Sequence, residues 1–387
     1  MKVLGIMTLT LALMLFAGQA QAQAPMRLYV EKDALEPGQA QLLLGLLQAE
    51  YGDDDWTLME DTGPLRELVL SGNAPDLAIC APKSARPWAK EGLLLGLQMH
   101  IGSQQRMQRQ ALDLCVEDET LFMAPLIAHH RQMAVNRRLF EQMGLGYMLD
   151  PQTYPVWYPA QFYQILEEFM IRDAVAMDIW RAQPDTSAAL EALSQAFFGG
   201  MMLSEDGQRC EMDSAAMGAG VQWLADAVND GMIGYCPTRD EALMRFLDGE
   251  TAVYIDWSAR LEKRLRSRLD EAGLELVARP YPAAVGLPVR SFDLAGVCAF
   301  AGGDAAKDAR LIRACAMLHE QAQDVLGQRG IWQDGAVWPA NPDVHEAGAT
   351  LRSLMCAALT EAIEGGRPAA DALGRVQAAM DAIERTP

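Results

Sequence analysis

The sequence predicts an α/β protein of two lobes, each a mostly parallel sheet flanked by helices. Three observations predict it. The chain has 387 residues, more than one hydrophobic core usually serves, and fits roughly two domains of ~150–200 residues. Short β-branched and aromatic runs alternate with segments of helical period, the β-α-β order that sets parallel strands side by side beneath crossover helices. No Ser/Gly-rich linker divides the chain into halves, so two lobes would be joined by several short crossings.

The elements follow in order. RLYVEK (Arg27–Lys32) alternates as a strand, and GQAQLLLGLLQAEYG follows with helical spacing and a stop at Gly52. WTLMED is a second strand. GPLRELVLSG is a short helix with Pro64 near its start and Gly72 past its end, the usual asymmetry of helix termini. PDLAICAP is a third strand, completing β-α-β-α-β. LFMAPLIAHHRQMAVN is a longer extended run, and RRLFEQMGLG is a helix stopped by Gly144. PAQFYQILEEFMIR is helical, AVAMDIW a strand, and SAALEALSQAFFGG a helix ending in a Gly pair. SAAMGAGVQWLADAVNDG and DEALMRFLDG are amphipathic helices. In GETAVYIDWSARL a buried strand, Ala252–Ile255, runs into Asp256, Trp257 and then a charged helix, LEKRLRSRLDEAG. LELVARPYP and AGVCAFAG are strands. Three helices end the chain: KDARLIRACAMLHEQAQDVLGQR, ATLRSLMCAALTEAIEGG and AADALGRVQAAMDAIER.

Composition narrows the function. Half of the residues are hydrophobic and the formal net charge is −20, which fits a packed protein and repels a nucleic-acid backbone. The first 24 residues carry Lys2, an apolar run from Val3 to Ala17 and two small-x-small cleavage patterns, Ala20-Gln21-Ala22 and Ala22-Gln23-Ala24. They read as an export signal, too short for a comfortable membrane span, with no cysteine at the cleavage site to take a lipid. An exported chain is expected in the periplasm or outside the cell. There disulfides are possible, and Cys210 with Cys236 is the expected bridge among seven cysteines; Cys80, Cys298, Cys315 and Cys356 sit among apolar residues as small buried hydrophobes.

Enzyme signatures are missing: there is no GxSxG, HExxH, P-loop or GxGxxG. His129 and His130 are adjacent on a predicted strand and point to opposite faces, a poor two-ligand metal site. No metal and no cofactor are expected. The positive evidence is positional, because ligands of open α/β sheets bind beyond the C-terminal ends of strands. Those ends carry Lys32 and Asp33, then Lys83, then Trp180 and Asp185, then Trp257 and Arg260. Charged groups suit the hydroxyl edge of a sugar and an indole suits its face. A strand-end charge can equally be solvated, and Trp257 can equally close a core. The basic run Arg260, Lys263, Arg264, Arg266 and Arg268 reads as an exposed helix face.

Four motifs carry a resemblance. They are SGNAPDLAIC with WAKEGLLLGL (Ser71–Leu97), LFMAPLIAHHRQMAVNRRLFEQMGL (Leu121–Leu145), FLDGETAVYIDW (Phe246–Trp257), and the closing pair GGDAAKDARLIRACAMLH and AALTEAIEGGRPAADALGRVQAAMDAI. In this order they resemble the bacterial extracellular solute-binding proteins of the maltose-binding type, the capture subunits of ABC importers. The resemblance implies the type II periplasmic-binding-protein fold, with lobe one at 25–124 and 257–303, lobe two at 125–256 and 304–387, and hinge strands between them. It implies a monomer that traps a sugar-like solute in the cleft and delivers it to an ABC permease. It also implies that Trp257 stacks on the ligand and that Trp338, in GAVWPAN, faces the cleft. The sequence departs from the family at TYPVWYPAQF, where Trp157 is displaced. It departs again at Ala81–Ser84, where Lys83 stands in place of an aromatic and leaves room for an anionic ligand such as a uronate. A ligand sensor for a receptor or kinase and an exported glycan hydrolase are the other function classes compatible with the sequence.

Overall fold

A computed structural model describes residues 24–32, 34–36, 38–59, 63–97, 109–204, 209–284, 291–326 and 347–384. The expected export signal lies outside them apart from its last residue. The chain opens with β1 (Met26–Val30), α1 (Gln39–Tyr51), β2 (Trp56–Leu58), α2 (Leu65–Leu70), β3 (Leu77–Cys80), α3 (Pro82–Lys90) and α4 (Arg109–Asp113). A small hairpin, β4 (Val116–Glu117) and β5 (Thr120–Leu121), leads into the long β6 (Ala124–Asn136). Then come α5 (Arg137–Gln142), α6 (Pro159–Met170), β7 (Asp178–Trp180), α7 (Ala188–Phe198), α8 (Ala215–Asn229), β8 (Gly234–Cys236), α9 (Arg239–Leu247) and β9 (Val253–Trp257). The chain closes with α10 (Ala259–Ala272), β10 (Leu276–Arg279), β11 (Ser291–Ala299), α11 (Ala305–Val325), α12 (Gly348–Ile363) and α13 (Ala369–Glu384). Among the described residues, no helix is long and apolar enough to cross a membrane.

β1 pairs in parallel with β2 and β3, as the β-α-β reading requires. β11 joins β3 and β6 antiparallel, and β10 and β9 join β6 antiparallel. β7 and β8 form a separate parallel pair. The organising element is β6. Its first five and last four residues are buried, whereas His129–Gln132 between them are half-buried. At ~3.4 Å per residue a strand of this length can thread two cores, and β6 does so.

The buried residues form two clusters. One holds β1–β3, the start of β6 through Ala128, β11 and the buried face of α11. The other holds β6 from Met133 onward, α5–α9, β9, Leu269 of α10, Tyr281, α12 and α13. These clusters move two expected boundaries. The segment 257–283 packs in the second core, because Trp257, Leu269 and Tyr281 are buried there. α11, expected in lobe two, packs in the first core through Leu311, Ala314, Cys315 and Leu318. The chain therefore passes between cores along β6, again after Ala283 and again after Leu326.

Ala81 caps α3, which begins at Pro82, a position where the missing N–H costs nothing. One local expectation changes as well. The expected Cys210–Cys236 disulfide does not form, and all seven cysteines are free and buried. Cys210 is held by a bridge to Leu203, while Cys236 ends β8 with its Sγ 4.0 Å from Arg245 Nη1.

Candidate functional site

The half-buried middle of β6 forms the floor of a cavity of about 530 Å³ between the two cores. From β6 it receives His129 and Arg131, two residues apart and so on one face of the strand. β9 contributes Tyr254 and Asp256, and Ser258 follows with the same spacing, while Val253, Ile255 and Trp257 face the other way.

The first lobe supplies one wall. Glu31 leaves the end of β1 and binds the start of α3: its carboxylate accepts from the Ala81 backbone N–H at 2.8 Å and from Ser84 Oγ at 2.6 Å. This places Lys32, Pro82 and Lys83 on the cavity. The second lobe supplies the other wall. The Ser258 hydroxyl accepts from Leu261 N at 3.2 Å and caps α10, whose first turns present Arg260 and Arg264, four residues apart on one face. α7 presents Glu191 and Gln195, α9 presents Arg239 and α12 presents Arg352, with Asp185 just before α7.

Charge dominates the lining. Seven Lys or Arg residues face five Asp or Glu residues, in a protein whose formal net charge is −20. Asp256, with 3% of its side chain exposed, is held between Arg131 and Arg239, the latter at 3.3 Å. Arg131 also binds Asp293 of β11, its Nε donating at 3.0 Å. Burial would lower the Arg131 pKa, but the carboxylates of Asp256 and Asp293 outweigh it and hold the guanidinium charged. Glu191 accepts from Ser187 Oγ at 2.5 Å and from Arg352 Nε at 3.2 Å. Lys32, Lys83 and Arg264 make no ion pair among the described residues and are exposed in the cavity. Burial, and next the charge of Arg260, push the His129 imidazole below its usual pKa, so it is neutral at pH 7. Among the described residues, no group of three or more His, Cys, Asp or Glu is placed to hold a metal ion.

Of the site residues expected from the sequence, Lys32, Lys83, Asp185 and Arg260 line the cavity together. Asp33 and Trp338 lie outside the described residues. Trp257 and Trp180 do not face the cavity, and the stacking role expected of them is corrected. Each indole is 1% exposed. Trp257 packs edge-on against Phe246 and Tyr254, and Trp180 stacks on Tyr254 at 6.0 Å and donates its N–H to the Thr186 carbonyl at 3.1 Å. The reason is strand length. β9 and β7 include these residues as their last, so each indole is a strand residue on the core face and not a residue beyond the strand. The sequence reading missed Arg131, Arg239, Arg264 and Arg352 as site residues. The i, i+2 spacing of His129 and Arg131 and the i, i+4 spacing of Arg260 and Arg264 were the available signals.

No protein-family model matches the chain, and no curated protein matches it in sequence. Solved structures do match in three dimensions. The cyclic alpha-maltosyl-1,6-maltose binding protein from Arthrobacter globiformis is 16% identical at a TM-score of 0.73, over 94% of this chain and 99% of that one. The GacH receptor of Streptomyces glaucescens, solved unliganded and with acarbose, is 14% identical at 0.68, over 94% and 99%. UgpB from Mycobacterium tuberculosis, solved with glycerophosphocholine, is 14% identical at 0.69, over 94% and 98%. At such identities the likeness speaks to architecture: two cores, a shared long strand and an intervening cleft give this chain the two-lobe type II periplasmic-binding-protein fold.

Proposed function

We propose that the chain is an extracytoplasmic solute-binding subunit, monomeric and without catalytic activity, that captures a small solute between its lobes and delivers it to an ABC permease. The observation that carries this reading is the cavity itself. It lies between two separately packed cores, takes polar groups from both, and has as its floor the half-buried stretch of the strand that joins them. Two bodies joined at such a seam can close on a ligand by a hinge motion. The likeness to proteins whose names record binding of maltosyl-maltose, acarbose and glycerophosphocholine supports the reading. The export signal read from the sequence supports a periplasmic or secreted location. A carbohydrate-like polyol fits the carboxylates, hydroxyls and guanidinium groups of the lining, which can hydrogen-bond a ring of hydroxyls.

The test is a thermal-shift panel of sugars, sugar acids and small phosphorylated polyols on the purified mature chain. A true ligand at about 100 times its Kd stabilises by about 2.7 kcal/mol, with no product formed. A melt that no compound shifts, or turnover of a glycan in the panel, would overturn solute capture.

A further inference from the structure

The balance of groups in the cavity says more about the ligand than the fold does. Among the described residues no Trp faces the cavity, and its aromatic rings, Tyr254 and Phe292, are 1% and 7% exposed. The described lining therefore offers a neutral sugar little flat apolar surface on which to lay a ring. Cationic side chains exceed anionic ones by two in the lining, although the whole chain carries −20. The acids are already engaged: Asp256 and Asp293 by Arg131, Glu191 by Arg352, and Glu31 by the Ala81 N–H and Ser84. Asp185 makes no ion pair among the described residues and stays exposed at the rim.

The cations divide differently. Arg131, Arg239 and Arg352 are committed to those acids, while Lys32 and Lys83 on one wall and Arg264 on the other have no carboxylate partner among the described residues. Arg260 sits beside Arg264 on the same helix face. Closing the lobes over an empty cavity brings these like charges together, which opposes closure. An oxyanion between them removes that repulsion and adds charge-assisted hydrogen bonds. The general negative charge of the chain does not cancel this, since charges more than ~8 Å away are largely screened at physiological salt. The committed carboxylates would face a bare inorganic anion unfavourably, whereas they and the hydroxyls of Ser258 and Ser291 suit the hydroxyls of a polyol.

Resting on the solute-capture reading above, we infer that the ligand is a polyol bearing an oxyanion, a sugar acid or sugar phosphate, whose charged group lies between Lys32 and Lys83 of the first lobe and Arg260 and Arg264 of the second.

Calorimetric titration with glucose, glucuronate and glucose 6-phosphate at 20 mM and 500 mM NaCl tests this, the two acids separating carboxylate from phosphate. At least one acid should bind tenfold or more tightly than glucose, since a hydrogen bond to a charged group is stronger than one between neutral groups. High salt should weaken the acid and leave any glucose binding unchanged. Arg264→Gln and Lys83→Gln should each weaken the acid about tenfold, while Arg266→Gln, on the same helix but off the cavity, should not. Glucose binding as tightly as both acids would overturn the anion inference and leave solute capture standing. Silence from all three probes would overturn this choice of ligand class, while solute capture falls only if the broad panel is silent too.

Discussion

Asp256 and Trp257 are neighbours on β9 that face opposite ways: Asp256 lines the inter-lobe cavity and Trp257 is buried in the second core. The strand's two-residue period enforces this. Because Asp256 meets Arg131 of β6 and Arg239 of α9 on the cavity side, its neighbour points into the apolar layer.

Trp257→Ala is therefore a stability mutation. Removing a fully buried indole should cost about 3–5 kcal/mol, read as a fall in the urea midpoint of the ligand-free protein. A variant as stable as the parent but weakened in ligand binding would return Trp257 to the cavity wall.

Asp256→Asn should also destabilise, by roughly 2–4 kcal/mol, because it removes the buried partner of two guanidinium groups. Combined with Arg239→Leu, the loss should be less than the sum of the two single losses. Additive losses in a double-mutant cycle would mean that the pair is not coupled.

Asp178 sets a pH dependence of unusual sign. Its carboxyl is 1% exposed, and burial, offset in part by Arg245 at 2.8 Å, raises its pKa to about 6. The folded chain thus keeps a proton that the unfolded chain releases near pH 4. This group's stability contribution is full below that value and is lost as pH rises through 6, by about 1–3 kcal/mol. Asp178→Asn should gain stability relative to the parent between pH 4 and pH 7, measured by urea titration at each pH. Gly234 lies against this carboxylate, where an added Cβ would come within 1.9 Å of Asp178 Oδ1, so Gly234→Ala should destabilise at every pH.

His129 runs the other way. Burial and Arg260 depress its pKa, so its contribution is present above the unfolded value near 6.5 and is lost as pH falls through the lower folded value. In an NMR titration its imidazole should titrate below 6.5, and Arg260→Gln should move it upward. An unchanged value in that variant would show that Arg260 does not act on the ring.

Much of the fold was legible because the period and punctuation of the chain were clear. Gly52, Gly144 and Gly273 follow α1, α5 and α10 closely, and all three adopt positive φ. The lobe boundaries were less legible. Whether α11 packs on the first core or the second depends on which strands its apolar face meets, and that is tertiary information. At the site, Lys32, Lys83, Asp185 and Arg260 followed from strand-end logic. The indoles at 180 and 257 did not, because each strand runs one or two residues further than expected and ends on the indole, which takes the core face. Arg131 and Arg352 come from the strand shared by the two cores and from a distant helix, which only the folded chain brings together.

The account rests on a solute held between the lobes, and amide hydrogen exchange with and without the strongest thermal-shift ligand tests this most directly. The account predicts simultaneous protection at the ends of β1 and β3 in the first lobe and at the starts of α7 and α10 in the second. Protection confined to one lobe would contradict it.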